Sequence, residues 1–243
     1  MSQTQTTASP EAATTLPPGR LEMRRFSAFH GAFVLACLPL AALPASQRGF
    51  GILTLVVLYN LAFPVVARLA GYDDWWRRWC FLAPLSALQV LPDGFLTTVL
   101  GVLEFPSPGV PKLFGVSVFM AGMWTIPLMI VTTIGDWVAR LRSLAVARWV
   151  VAMVSLLLFV GSEAVLWRLP IWRAVGVTTL GHVALYVVLP EVVLGLATFE
   201  VGRRVSKASV PTRLLAAAAV MILYLGCLGV SFLFIEGAPS TGG

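Results

Sequence analysis

The chain has 243 residues, of which 58% are hydrophobic and only 12% charged, and its mean hydropathy is +0.87. Soluble domains carry about 45–50% apolar residues, so this composition excludes a soluble globular protein. The net charge of +6 comes from basic residues set beside apolar runs, which excludes a nucleic-acid binder and describes an integral membrane protein with basic flanks.

In chain order, residues 1–19 are Ser, Thr, Gln, Ala and Pro with few large apolar side chains, and are expected to form a disordered tail. Seven apolar stretches follow, at 26–46, 50–71, 79–104, 112–137, 146–167, 172–200 and 213–236. Each can cross about 30 Å of hydrocarbon as a helix. The period-two alternation of a membrane β-barrel is absent. The expected fold is therefore an all-α bundle of seven transmembrane helices over residues 20–237, with a disordered tail at 238–243. Met23-Arg24-Arg25 and the apolar run to Leu43-Pro44-Ala45-Ser46 also resemble a signal peptide with its cleavage region. A run of about 20 residues is long for such a segment, and a second one follows at once, so a retained first helix is simpler.

Orientation follows from the basic residues. With the N-terminus inside, thirteen of the seventeen Lys and Arg fall on the inner side. The outer side holds only Arg48, Lys112, Arg168 and Arg173. The positive-inside rule then gives a cytoplasmic N-terminus, an external C-terminus and a multi-pass protein of the cell membrane. Trp75, Trp76, Trp79, Trp137, Trp149, Trp167 and Trp172 fall near the expected helix ends, at interface depth, and Trp124 is the exception.

Cys37, Cys80 and Cys227 lie far apart in apolar runs without a CxxC pair or a histidine at ligand spacing, so they read as small buried hydrophobes. No metal and no cofactor is expected. Soluble-enzyme signatures (GxSxG, Walker loop, HExxH, GxGxxG after a strand) are absent, as is a multi-histidine box.

Ionisable groups within hydrocarbon cost about 2.5 kcal/mol or more and mark function by default. They are Asp93, Glu163, Glu191 and His182, with Asn60, Gln89, Thr97 and Tyr186 as neutral partners. Glu104, Asp136, Glu200 and Glu236 sit at span ends, where hydration makes them cheap. At 1.5 Å per residue, Asp93 lies about 21 Å from an inner boundary at Trp79, and Glu163 about 22 Å from one at Arg148. His182 falls near about 18 Å, Asn60 is roughly midway along its span, and Glu191 is nearer the inner leaflet.

Leu91-Pro92-Asp93-Gly94 is strong turn chemistry and predicts a broken or kinked third helix. A helix restarting at Gly94 would be capped by Asp93; one that merely bends would align Gln89, Asp93 and Thr97 on one face. Asp93 is thus either an N-cap in a buried kink or a functional acid. Glu163 either hydrogen-bonds His182 or Asn60, or is a neutral acid able to donate a proton. His182 shares a helix face with Tyr186 and is either a packing element or a base. Glu191 follows Pro190 and is read as satisfying groups freed by that kink. Met120, Met123 and Trp124 read as packing, with Trp124 also suited to lining an apolar cavity. The candidate catalytic set is Asp93, Glu163 and His182; the candidate substrate contacts are Asn60, Gln89, Trp124, Tyr186 and Glu191.

In size, span number and intramembrane acids, the chain resembles the small membrane-bound terpene and carotenoid cyclases. Pro190-Glu191 resembles in part the proline-acid element of the carotenoid cyclases, whose remainder is missing, so no catalytic residue is carried over. The resemblance implies an enzyme acting on an isoprenoid or lipid, with an acid protonating an alkene or epoxide and aromatic faces stabilising the carbocation. The expected partners are membrane lipids and a hydrophobic small-molecule substrate. Two alternatives stand beside it: a proton-coupled transporter using Asp93, Glu163 and His182 as a relay, and an accessory protein whose polar groups only fix helix register. Oligomeric state is open.

Overall fold

A computed structural model describes residues 19–166, 168–169 and 171–237. The two expected tails, apart from Gly19, and Trp167 lie outside the described residues. The chain is mostly helical. It divides into two compact units, residues 1–37 and 38–243.

The described part of the first unit is α1 (Arg20–Cys37). Within it His30 Nδ1 donates to the Phe26 carbonyl at 2.9 Å, and the two rings lie 4.1 Å apart.

The second unit opens with a 3₁₀ turn over Leu38–Ala42 and runs through α2 (Ala45–Leu69), α3 (Asp73–Leu88), α4 (Val90–Thr98), the short α5 (Met120–Met123), α6 (Thr125–Leu141), α7 (Leu144–Leu166), α8 (Leu185–Val205) and α9 (Val210–Glu236). Six segments are long and apolar enough to cross a membrane: Arg20–Ala42, Ala45–Leu69, Asp73–Thr98, Leu144–Leu166, Leu185–Val205 and Val210–Glu236. That is the architecture of a multi-pass membrane protein. α6, in the fourth apolar stretch, is a shorter helix of 17 residues.

One end of the bundle is closed by three tight turns. α2 ends in a Schellman motif, with Tyr72 N–H on Ala67 O at 2.8 Å and Gly71 N–H on Arg68 O at 3.3 Å. Gly71 takes the left-handed conformation this requires, at φ +71°. Ser143 Oγ accepts from Val146 N–H at the start of α7, and Ser209 Oγ from Thr212 N–H in α9, where Pro211 fits the first turn. These short links make α2 and α3, α6 and α7, and α8 and α9 antiparallel neighbours.

The opposite end departs from the all-α expectation. β1 (Leu103–Glu104) pairs with β4 (Arg173–Ala174), and an Arg173–Glu104 ion pair joins them. β2 (Lys112–Leu113) and β3 (Val116–Ser117) form a hairpin, as do β5 (Thr179–Leu180) and β6 (Val183–Ala184). The fourth and sixth apolar stretches therefore begin as ribbon, and their helices start at Met120 and Leu185. The reason is local: Val175-Gly176-Val177-Thr178-Thr179 is β-branched and glycine-rich, a poor helix start.

α6, α7 and α8 approach one another closely. A Cβ on Gly135 would lie 2.5 Å from Val151 and 2.7 Å from Phe199, and one on Gly195 would overlap the Ser155 hydroxyl. Val131, Ala147, Val151 and Phe199 fill that contact. Outward, Leu61, Leu69, Leu215 and Phe234 are exposed, the apolar exterior expected against lipid.

Candidate functional site

The site begins at the junction of α3 and α4. Pro92 has no N–H, so the Leu88 carbonyl loses its partner four residues on, and the helix is interrupted at Gln89. Gln89 stays helical (φ −64°, ψ −15°), its N–H shared between Leu85 O and Ser86 O, and Asp93 N–H reaches Gln89 O at 3.2 Å. The third apolar stretch is broken near Pro92-Asp93-Gly94 as expected: the interruption lies at Gln89, and Pro92 is accommodated in the first turn of α4. Asp93 accordingly caps no restart at Gly94.

Gln89 and Asp93 lie one turn apart and both are buried. Trp124 Nε1 donates to Asp93 Oδ2 at 3.3 Å. Trp124 sits between α5 and α6, and the next residue fixes it, because Thr125 N–H donates to Ser86 Oγ on α3 at 3.1 Å. Its ring meets Phe159 of α7 at 5.5 Å and the edge of Tyr224 of α9 at 5.9 Å. Tyr186, in the first turn of α8, packs edge-on against Phe232 at 5.5 Å.

Three carboxyl groups, from three helices, lie in this region of the bundle. Asp93 of α4, Glu163 of α7 and Glu191 of α8 lie within electrostatic reach of one another, and Tyr186 and Tyr224 within reach of all three. Glu163 Oε1 accepts from Trp172 Nε1 at 2.5 Å. Glu191 Oε2 is buried and has no hydrogen-bond partner among the described residues. The same holds for both amide atoms of Gln89 and the hydroxyl of Thr125. A buried polar group left unpaired costs about 1–3 kcal/mol, so each of these atoms is costly where it stands.

Several sequence expectations are revised. Glu191 lies six residues into α8, which starts at Leu185. Glu163 bonds Trp172, not His182 or Asn60. His182 is not on a helix face with Tyr186; it occupies the exposed tip of the β5–β6 hairpin, beside Gly181 at φ +64°. Asn60 ties helices: its Nδ2 donates to Val56 O at 2.9 Å and Gly122 O at 3.0 Å, and its Oδ1 accepts from Trp79 Nε1 at 3.4 Å. Thr97 Oγ1 donates to the Asp93 carbonyl at 2.7 Å.

Sequence reasoning missed Tyr224, Phe159 and the tie from Trp172. Tyr224 left a signal, a lone phenol in an otherwise apolar span; Phe159 left none. Among the described residues no three His, Cys, Asp or Glu side chains are placed to hold a metal ion, and the three cysteines are free thiols.

A family model described as a domain of unknown function, DUF6989, matches residues 90–235. The chain belongs to the DUF6989 family. No curated protein and no solved structure matches it. The DUF6989 segment starts at the first residue of α4 and contains Asp93, Trp124, Glu163, Tyr186, Glu191 and Tyr224. Asn60 and Gln89 lie before it.

Proposed function

We propose that this DUF6989 protein is an integral membrane enzyme that cyclises a hydrophobic isoprenoid or lipid, with a buried carboxylic acid as proton donor. The reading is supported by the burial of Asp93 and Glu191 in one region of the bundle with Glu163, among the rings of Trp124, Tyr186 and Tyr224. A carboxylic acid adds its proton to an alkene carbon, and the carbocation is captured by a second alkene to close a ring. Loss of a proton from a neighbouring carbon restores an alkene and returns the proton to a carboxylate, so the product is an isomer of the substrate. Aromatic faces stabilise the passing cation, and a site without bulk water protects it from quenching. Glu191 Oε2, Gln89 and Thr125 supply the unspent hydrogen bonds that would orient a polar group on the substrate.

The topology belonging to this reading has seven crossings, α5 and α6 together forming the fourth, with the N-terminus in the cytoplasm and the cell membrane as host. The distribution of thirteen basic residues against four supports it. Reporter fusions at each turn test it.

The functional test compares lipid and isoprenoid extracts of a heterologous host carrying wild-type or an Asp93→Asn, Glu191→Gln double variant. A new hydrophobic product that disappears in the variant supports cyclisation. Proton or solute flux in purified liposomes, with no change in extract, would establish the transporter instead.

A further inference from the structure

At the other end of the bundle from the acids, where α3 begins and α6 and α8 end, the chain encloses a cleft of about 300 Å³. Arg77, Arg78, Arg140 and Arg203 line it, against only two acids, Asp74 and Asp136. Asp136 is committed: its Oδ2 pairs with Arg78 at 2.6 Å and its Oδ1 with Arg203 at 2.7 Å. The Arg203 guanidinium also lies 5.3 Å from the centre of the Phe199 ring, which fixes its plane. The cleft is therefore concave and preorganised, and four guanidinium groups line it against two carboxylates, with Arg77 also facing Asp73 at 3.8 Å.

A second observation points to a ligand. Thr54, Thr97, Thr98 and Thr132 each turn their hydroxyl back onto the carbonyl four residues earlier, the usual way a helix satisfies such a group. Thr198, fully buried on α8 and lining the cleft, does not, and its Oγ1 has no partner among the described residues. A neutral donor beside several guanidinium forks is the combination that suits phosphate oxygens.

The geometry points to this cleft as a binding site for a phosphate-bearing anion, delivered either as a lipid headgroup or as free phosphate or diphosphate. It is separate from the acid group and does not depend on the proposed cyclisation. Were the arginines present only to offset the helix C-termini, the Thr198 hydroxyl would play no part.

The test uses the purified full chain in detergent. Phosphatidylglycerol and phosphatidylcholine are titrated by native mass spectrometry, and inorganic diphosphate by calorimetry. Saturable binding of phosphatidylglycerol over phosphatidylcholine, with diphosphate inert, assigns a headgroup; binding of diphosphate assigns the free anion. The Arg77→Gln, Arg140→Gln double variant should weaken the binding probe by about tenfold or more. Thr198→Val should weaken it about fivefold while leaving thermal stability unchanged or raised, and this variant carries the test if the arginine pair fails to fold. Arg142→Gln, outside the cleft, should bind as wild type. The site is overturned if neither anion binds above phosphatidylcholine, if Arg142→Gln weakens binding as much as the double variant, or if Thr198→Val binds as tightly as wild type.

Discussion

Asp136→Asn gives the sharpest stability prediction, because one carboxylate holds two arginines. Arg78 has a side chain only 10% exposed and also donates to Thr133 Oγ1 at 2.5 Å, so it is bound on two sides within the helical bundle. Arg203 is 37% exposed. Removing one partner of a buried pair costs about 3–5 kcal/mol, mostly from the charge left behind. Asp136 is itself 22% exposed and asparagine keeps one acceptor, which brings the expected loss to roughly 2–4 kcal/mol. Arg203→Gln leaves the Arg78 pair whole and should cost about 1 kcal/mol or less. In thermal unfolding of the purified chain, Asp136→Asn should lower the midpoint by on the order of 5–15 °C and Arg203→Gln by a few degrees at most. Equal shifts for the two variants would refute the reasoning, since they would place the cost in the exposed pair.

Further predictions concern packing and the site. Gly135→Ala should destabilise by about 1–3 kcal/mol by driving apart Val151 and Phe199, and Gly226→Ala, with open space around it, should be neutral or stabilising; matched melting curves check the contrast. Trp124→Phe leaves Asp93 without its hydrogen bond, costs about 1–3 kcal/mol, and should abolish product in the extract assay while Phe159 and Tyr224 keep their packing. His182→Ala, at the tip of the β5–β6 hairpin, should leave product yield intact in the same extract assay.

The helical segments were legible because membrane solvation demands long apolar runs, and the basic end because arginines gather beside them. What escaped was local. Pro92 announced a break, but a proline in a first turn is tolerated, so the interruption moved back to Gln89. The hydropathy of residues 172–184 matched that of a helix, and only the glycines and β-branched residues betrayed a ribbon; that mistake misplaced His182. Asp136 was read as cheap through hydration, and its two arginine partners are distant in sequence. The acids themselves were visible because charge inside hydrocarbon is costly. Their aromatic surroundings were not, since Phe159 looks like any other lipid-span phenylalanine.

The central claim, that a buried carboxyl group passes a proton to a hydrophobic substrate, is tested most directly with solvent isotope. Host membranes carrying the protein are incubated with unlabelled lipid extract in deuterium oxide, and the new product is weighed by mass spectrometry. The account predicts an isomer bearing one solvent-derived deuterium on carbon, lost in the Asp93→Asn, Glu191→Gln variant. A product without deuterium, or one formed equally by the variant, would contradict it.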